Sequence, residues 1–360
     1  MKILLIAKAY PPETGGIETY SEEVARAYAA LGHEVVVLTA HPGSIGREFR
    51  GMVEVHNVGQ GKQSSVFFRM ATWLRKRKKD HFDFVHATSW RVGTPSLLIL
   101  SRTPLVVTIH GREVFVVPKP LKSVMSFVLK RAKLIPAVSL PILERARKVN
   151  NLDLKVGFAN WNGTSFDNLT MVAPEKPKDF RVFCMCRMVK RKNVATAIKA
   201  VSALRRQGYD ISFDVAGGGE ELENLRALVE SEGASDSITL HGRIPDEAIP
   251  KFYKNAHVFL HPQIATMGGG DMEGFGITIA DAMSFACVPI AGASGGPLDF
   301  IRHEETGYLV DGLDQGAIES ALRALHDHPG MRENMSLAAR NFAIDKLTWN
   351  QHVENILQRI

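Results

Sequence analysis

The chain has 360 residues, 45% hydrophobic and 23% charged, which excludes a disordered chain, a collagen-like chain and a coiled-coil rod and, at roughly 150 residues per domain, points to about two domains. The net charge of +6 is divided unevenly: residues 1–170 carry 24 Lys and Arg against 13 Asp and Glu, and residues 171–360 carry 20 against 25. Such asymmetry predicts halves with different partners, the first facing something anionic: a phosphate-rich ligand, an anionic lipid surface or nucleic acid.

Residues 2–7 form a short apolar run that predicts a buried strand. Lys8 cuts it short of a signal-peptide core, and no stretch reaches the roughly 18 apolar residues of a membrane span. The expectation is a soluble cytoplasmic chain, or one held at a membrane surface only. The loop 8–16 carries Pro11-Pro12 and Gly15-Gly16. Helical spacing of Ile17, Tyr20, Val24, Ala27, Tyr28 and Leu31 follows, Gly32 closes that helix, and 34–39 is the next strand. This βαβ opening implies a parallel sheet. Residues 65–79 place Phe67, Met70, Ala71 and Leu74 on one helical face, followed by Arg75-Lys76-Arg77-Lys78-Lys79. That pattern reads either as a basic amphipathic helix for an anionic surface or as a domain helix with a solvated charged end. Residues 121–133, with Lys122, Lys130, Arg131 and Lys133, are a second candidate. Strands are predicted at 84–87, 105–109 and 134–138, and a helix over 141–148.

After the linker-like stretch 174–179 a second cycle begins. Strands are predicted at 181–185, 211–216, 238–240, 258–260 and 288–290. Helices are predicted over 194–206, up to about 232, and over 247–255 and 277–285. Two βα arrays in tandem imply an α/β protein of two doubly wound, Rossmann-like domains facing a central cleft, with ligands outside the carboxyl ends of the strands. The expected division is 1–170 and 171–345, with a terminal helix in 346–360 packing back toward the first domain. Cys184, Cys186 and Cys287 are too few for a disulfide scaffold and suit a reducing compartment. Cys184-x-Cys186 lacks a second ligand pair for zinc and reads as filler of a buried strand.

Five motifs carry chemistry. Gly15-Gly16 enters a helix after the first strand, where amides can approach an anion, or the loop is a plain βα turn. His110 ends the strand 105–109, as a site imidazole or a structural one. Arg187 and Lys192, with Lys190 and Arg191 between them, follow the strand 181–185, and grip a diphosphate or form a solvated turn. Gly217-Gly218-Gly219 is a weaker signal that serves a turn equally well. The run Gly268-Gly269-Gly270-Asp271-Met272-Glu273-Gly274-Phe275-Gly276 leads into a helix holding Asp281. Glu273 and Asp281 lie about two turns apart and can face one ligand.

This last run resembles the retaining, nucleotide-sugar-dependent glycosyltransferases of family 4, which have the GT-B fold. Their signature is a glutamate, seven residues and a second glutamate around Glu-Gly-Phe-Gly; here Glu273-Gly274-Phe275-Gly276 matches and the second acid is Asp281. Gly15-Gly16, His110, Asn162-Gly163-Thr164 with Phe166, Arg187 with Lys192, Gly295-Gly296-Pro297 and 306–310 follow in the family's order. The resemblance implies an acceptor-binding first domain and a nucleotide-sugar-binding second domain.

By resemblance, His110 and Glu273 are catalytic. Gly15, Gly16, Arg187 and Lys192 hold the donor diphosphate, while Glu273, Gly274, Phe275 and Gly276 hold the donor sugar and Asp281 the ribose. No Asp-x-Asp motif marks a metal site, so no metal and no other cofactor is expected. The aspartate is one methylene shorter than the family's glutamate, which puts ribose recognition in question. The implied activity is retaining transfer of a hexose from a nucleotide-diphosphate sugar, with a lean to GDP-mannose. The acceptor would be a glycan or lipid-linked molecule in cell-envelope or exopolysaccharide synthesis. Two rivals share the architecture: a nucleotide-sugar 2-epimerase and a non-catalytic nucleotide-sugar-binding subunit. The expected partners are the donor, the acceptor and an anionic membrane surface at the inner face of the cytoplasmic membrane. Nucleic acid is not expected, because no module or aromatic-basic interleaving supports it.

Overall fold

The computed structural model describes residues 1–150, 154–166 and 173–360, which divide into two compact units. One unit is Met1–Ser165 together with Thr348–Ile360, and the other is Phe166–Leu347. The division expected at 170/171 lies outside the described residues.

The first unit runs β1 (Lys2–Ile6), α1 (Gly16–Ala30), β2 (Glu34–Thr39), β3 (Gly46–Arg50), β4 (Val53–Asn57), α2 (Gln63–Lys76), β5 (Phe84–Ala87) and α3 (Trp90–Ile99). It continues through β6 (Leu105–Val107), α4 (Arg112–Phe115), α5 (Lys119–Arg131), β7 (Ile135–Ala137), α6 (Leu140–Asn150) and β8 (Gly157–Ala159). Among the described residues its main sheet has the order β3-β4-β2-β1-β5-β6, parallel except for the β3–β4 hairpin. Parallel bridges Val106–Leu134 and Ile109–Ala137 add β7, which pairs with β8. Ile3, Leu4, Leu5 and Ile6 are all fully buried, as expected of a parallel strand covered on both faces. The chain leaves β1 toward β2 on one side and reaches β5 on the other. The topological switch point therefore lies at the carboxyl ends of β1 and β5.

The second unit runs β9 (Phe180–Met185), α7 (Val194–Arg206), β10 (Ile211–Ala216), α8 (Leu222–Ser231), β11 (Ile238–Gly242), α9 (Ile249–Asn255) and β12 (Val258–His261). There follow α10 (Ile277–Ser284), β13 (Val288–Gly292), α11 (Pro297–Phe300), β14 (Tyr308–Val310), α12 (Gln315–Asp327) and α13 (Pro329–Lys346). Its sheet is parallel in the order β11-β10-β9-β12-β13-β14, so the switch point falls at β9 and β12. Val182 and Cys184 of β9 pack with Ile198 and Val201 of α7 and Leu322 of α12 in one core. Cys184, Cys186 and Cys287 are buried free thiols. Lys176 donates to the carbonyls of Tyr253, Ala256 and Phe285 at 3.1, 2.6 and 2.9 Å, a cation set on the carbonyls at the buried ends of α9 and α10.

The chain closes with α14 (Trp349–Leu357), which packs on α1 of the first unit. A strap of hydrogen bonds ties it to residues 160–164. Asn160 donates to the His352 carbonyl at 3.0 Å, Asn355 to the Asn160 side chain at 3.1 Å, and Trp349 Nε1 to the Thr164 carbonyl at 2.8 Å. A Cβ at Gly163 would strike the Trp349 backbone and indole, so only glycine lets the indole lie this close.

Candidate functional site

In the second unit β9 and β12 are neighbours, so the residues that follow them meet although they lie far apart in sequence. Lys192, in the 3₁₀ turn Lys190–Lys192, donates to Glu273 Oε2 at 2.5 Å and to His261 Nε2 at 3.3 Å. Arg191 donates to the same Glu273 oxygen at 2.9 Å and pairs with Asp271 at 3.3 Å. The side chains of Lys192 and Glu273 are only 11% and 13% exposed. Burial alone would push Glu273 up, but the Lys192 and Arg191 charges outweigh it and hold the carboxyl well below the usual range. His261 is pushed down to about 4 by burial and then by Lys192. It is therefore neutral: Nδ1–H donates to Gln263 Oε1 at 2.6 Å, which leaves Nε2 to accept from Lys192. Gln263 is fixed in turn by donating to the Gly292 carbonyl at 2.7 Å.

The Glu273 loop is braced from behind. The amide of Gly296 donates to the Glu273 carbonyl at 2.9 Å, and a Cβ at Gly295 or Gly296 would run into the backbone of residues 273–275. Phe275 is buried with its ring 4.8 Å from that of Phe300, so its side chain is an anchor and its amide the group left to the loop. The helix expected over 277–285 is α10, which starts at Ile277 after Gly276. Ahead of it Met267–Gly269 folds into a separate 3₁₀ turn closed by the Thr266–Asp271 bridge, which the sequence did not show. Asp281 sits inside α10, only 2% exposed, and its charge, after burial itself, helps push the Tyr253 phenol above its usual range. Arg187 is exposed and carries no ion pair among the described residues.

In the first unit α1 starts at Gly16, with Gly15 before it and no side-chain cap among the described residues. One turn later Tyr20 meets His110: the two rings lie 4.7 Å apart and nearly perpendicular. His110 Nε2–H donates to the Thr88 carbonyl at 3.1 Å, and its backbone N–H donates to Glu113 at 2.6 Å. Burial first, and Lys8 after it, lower the His110 pKa against the pull of Glu113. His110 is thus a neutral imidazole whose Nδ1 lone pair is its acceptor.

The structure brings together Lys192 and Glu273 in one unit; in the other, His110 meets Tyr20 on the helix that starts at Gly16. Sequence reasoning missed Arg191 as an ion-pair partner, together with Asp271, His261 and Gln263. Arg191 was visible only as one base in a run of four, and its carboxylates lie about 80 positions away. His261 ends a strand just as His110 follows one, and that position was the available signal.

Residues 167–342 match the family described as Glycosyl transferases group 1, and residues 15–153 match the Glycosyl transferase 4-like domain. A GDP-mannose-dependent alpha-(1-6)-phosphatidylinositol monomannoside mannosyltransferase of Mycobacterium tuberculosis is 24% identical over 367 residues, 97% of this chain and 95% of that one. The enzyme of the same name from Mycolicibacterium smegmatis is 33% identical over 168 residues, 47% of this chain and 44% of that one, so this match spans less than half the relative's length. The solved sucrose-phosphate synthase of Thermosynechococcus elongatus has a TM-score of 0.80 at 19% identity, over 99% of this chain and 97% of that one, which shows the shared fold. With both halves matched and two Rossmann-like units in the matching order, this chain belongs to the group 1, family 4 glycosyltransferases and has their GT-B fold.

Proposed function

We propose that this chain transfers mannose from GDP-mannose, with retention of anomeric configuration, to a glycan or lipid-linked acceptor in cell-envelope or exopolysaccharide synthesis. The observation that carries the reading is Glu273: an ionised carboxylate braced by glycines and flanked by Lys192 and Arg191 at the switch point of the second sheet. Breaking the bond from anomeric carbon to phosphate puts negative charge on the leaving diphosphate and makes the sugar oxocarbenium-like. Lys192 and the exposed Arg187 supply cations for the diphosphate, and Gly15-Gly16 supplies amides. Glu273 accepts from sugar hydroxyls beside the Phe275 and Gly276 amides. His110 accepts a sugar hydroxyl through Nδ1, and Asp281 serves the ribose. The leaving phosphate takes the acceptor's proton on the same face. No metal is required in this scheme, because Asp271 and Glu273 are already paired with Arg191 and Lys192.

The same reading places the protein at the inner face of the cytoplasmic membrane. No helix among the described residues is long and apolar enough to cross a membrane. In the first unit α2 packs on α3 and α3 on α5. This row exposes Phe68 by 66%, Leu98 by 63% and Phe127 by 52%. Exposed bases occur on the same elements, Lys76 on α2 and Lys122 and Lys130 on α5, with exposed Lys79 just after α2. Exposed aromatic and aliphatic side chains among bases suit an anionic lipid surface. The deciding experiment is a binding and hydrolysis panel across GDP-mannose and the UDP-, ADP- and dTDP-sugars. Release of GDP from GDP-mannose, stimulated by a lipid-linked acceptor, supports the reading. Turnover of a different donor alone ends the mannose assignment, and formation of an epimer without acceptor ends the transferase scheme.

A further inference from the structure

Beneath His110 the first unit contains a buried chain of polar groups that the proposed chemistry does not use. His352 Nδ1 lies 2.8 Å from the Trp161 carbonyl, which can only accept, so that nitrogen carries the proton and Nε2 is an acceptor. The Tyr20 hydroxyl, 3.0 Å from Nε2, therefore donates to it. Its oxygen is left to accept from Thr108 at 2.8 Å. Thr108 in turn accepts from His86 Nε2–H at 2.8 Å, and His86 Nδ1 accepts from the Tyr28 hydroxyl at 3.2 Å. The donors point in a single direction from Tyr28 to the Trp161 carbonyl, and His86 Nε2–H, whose short bond is to Thr108, also lies 3.5 Å from the Tyr20 oxygen. All five side chains are at most 1% exposed, so a missing partner could not be replaced by bulk water.

This chain pins the Tyr20 hydroxyl from two sides, while the Tyr20 ring stands against His110 at 4.7 Å and against Trp349 at 5.7 Å. We infer that Tyr20 and His352 are positioning residues that hold the His110 ring against the Thr88 carbonyl and leave Nδ1 as its only acceptor. The inference rests on the reading that His110 meets the donor sugar. Any movement of α14 or of the 160–164 strap reaches the imidazole through His352 and Tyr20. The groups facing His110 are Lys8 from the loop after β1, Glu113 from α4, His86 from β5, His352 from α14 and Tyr20 from α1. Apart from Lys8 and Glu113 these are uncharged, because burial keeps His86 and His352 neutral.

The test combines nitrogen-15 NMR of labelled histidines with steady-state turnover of GDP-mannose, and the His110 signal is assigned by His110→Ala. In the wild type His110 should be the Nε2–H tautomer and titrate below the ordinary value of about 6.5. In His352→Ala and in Tyr20→Leu, its titration and the acid limb of kcat/KM should both rise toward about 6.5. Their kcat should fall about tenfold with donor KM within about twofold, the mark of a misplaced group rather than a lost binding contact. His352→Gln should restore both, since a glutamine amide can donate to Trp161 and accept from Tyr20. Folded His352→Ala and Tyr20→Leu with an unmoved His110 titration and wild-type kcat would overturn the inference. If both unfold, Tyr20→Phe decides, since it keeps the ring and loses only the hydroxyl: an unmoved titration counts against the inference and a shifted one supports it. Full turnover by His110→Ala would instead overturn the role given to His110, leaving the NMR titration to judge the positioning alone.

Discussion

The ammonium of Lys192 donates to Glu273 Oε2 at 2.5 Å, joining two residues 81 positions apart in the connections that follow the adjacent strands β9 and β12. The pair is not symmetric. Glu273 has a second cation in Arg191, whereas Lys192 has no second carboxylate among the described residues and falls back on the neutral His261.

Glu273→Ala leaves Lys192 and Arg191 facing each other with no shared anion. It should cost about 2 kcal/mol or more in urea unfolding, and Lys192→Ala should cost clearly less because Arg191 stays on the carboxylate. Glu273→Ala should also lower kcat/KM by about 10²-fold or more in a folded protein. Equal destabilisation by the two variants, or normal activity of folded Glu273→Ala, would contradict the arrangement.

Donor turnover should persist in excess chelator. Arg187→Ala and Lys192→Ala should each slow it by about 10²-fold or more, with the double variant losing less than the product, since both act on one diphosphate. Loss of activity in chelator, restored by Mg²⁺ or Mn²⁺, would return Asp271 and Glu273 to consideration as metal ligands.

Stability should fall on acidification in two stages. His261 and His352 are pushed down to about 4 by burial in the folded chain, against about 6.5 when unfolded. Between those values the unfolded chain holds protons that the folded chain does not. Each histidine therefore removes up to about 1.4 kcal/mol per pH unit as the pH falls from about 6.5 to about 4. Glu273 has the depressed pKa of a paired carboxylate, so its contribution is intact above the unfolded value of about 4.3 and lost as the pH falls further. Urea unfolding between pH 7.5 and 4.5 measures the first stage, and His261→Gln should flatten it. An unchanged slope in that variant would rule out the neutral buried His261.

Arg77 is not one of the surface bases: its guanidinium lies over the Trp73 ring at 5.0 Å and pairs with Asp80 at 3.1 Å. Replacing Arg75, Lys76, Lys78 and Lys79 by Gln should therefore abolish co-sedimentation with anionic phosphatidylserine vesicles, while Arg77→Gln should weaken it little. Wild-type binding should decline with salt, given screening over about 8 Å at physiological ionic strength. Binding indifferent to both salt and lipid charge would count against a membrane face.

Elements with apolar runs or helical periodicity were legible because burial dictates them. The β2, β5, α7 and β10 boundaries follow directly from the sequence, each with its apolar face in a core. The β3–β4 hairpin was not legible, because β3 reads Gly-Arg-Glu-Phe-Arg and four of its five residues are exposed, so no alternation marks it. In the site, Lys192 and His110 could be read from their place after a strand, and Glu273 from the glycine run that leads into a helix. Their partners could not: Arg191 with Asp271, and Tyr20 with His352 across 332 positions, are products of topology rather than of local pattern.

The first unit is built from both sides of the second, since Thr348–Ile360 returns to it after Phe166–Leu347. During synthesis the first 165 residues therefore emerge without α14. At about 5–20 residues per second the ribosome needs on the order of ten to forty seconds to reach His352. Through that interval the Tyr20 hydroxyl has no Nε2 to meet, Trp349 is absent from its place on Gly163, and the apolar face of α1 that α14 covers stands open. The nascent first half must wait, partly unsealed, while the whole of the second half is made, which makes that interval the one in which a chaperone or a premature stop has the most to act on.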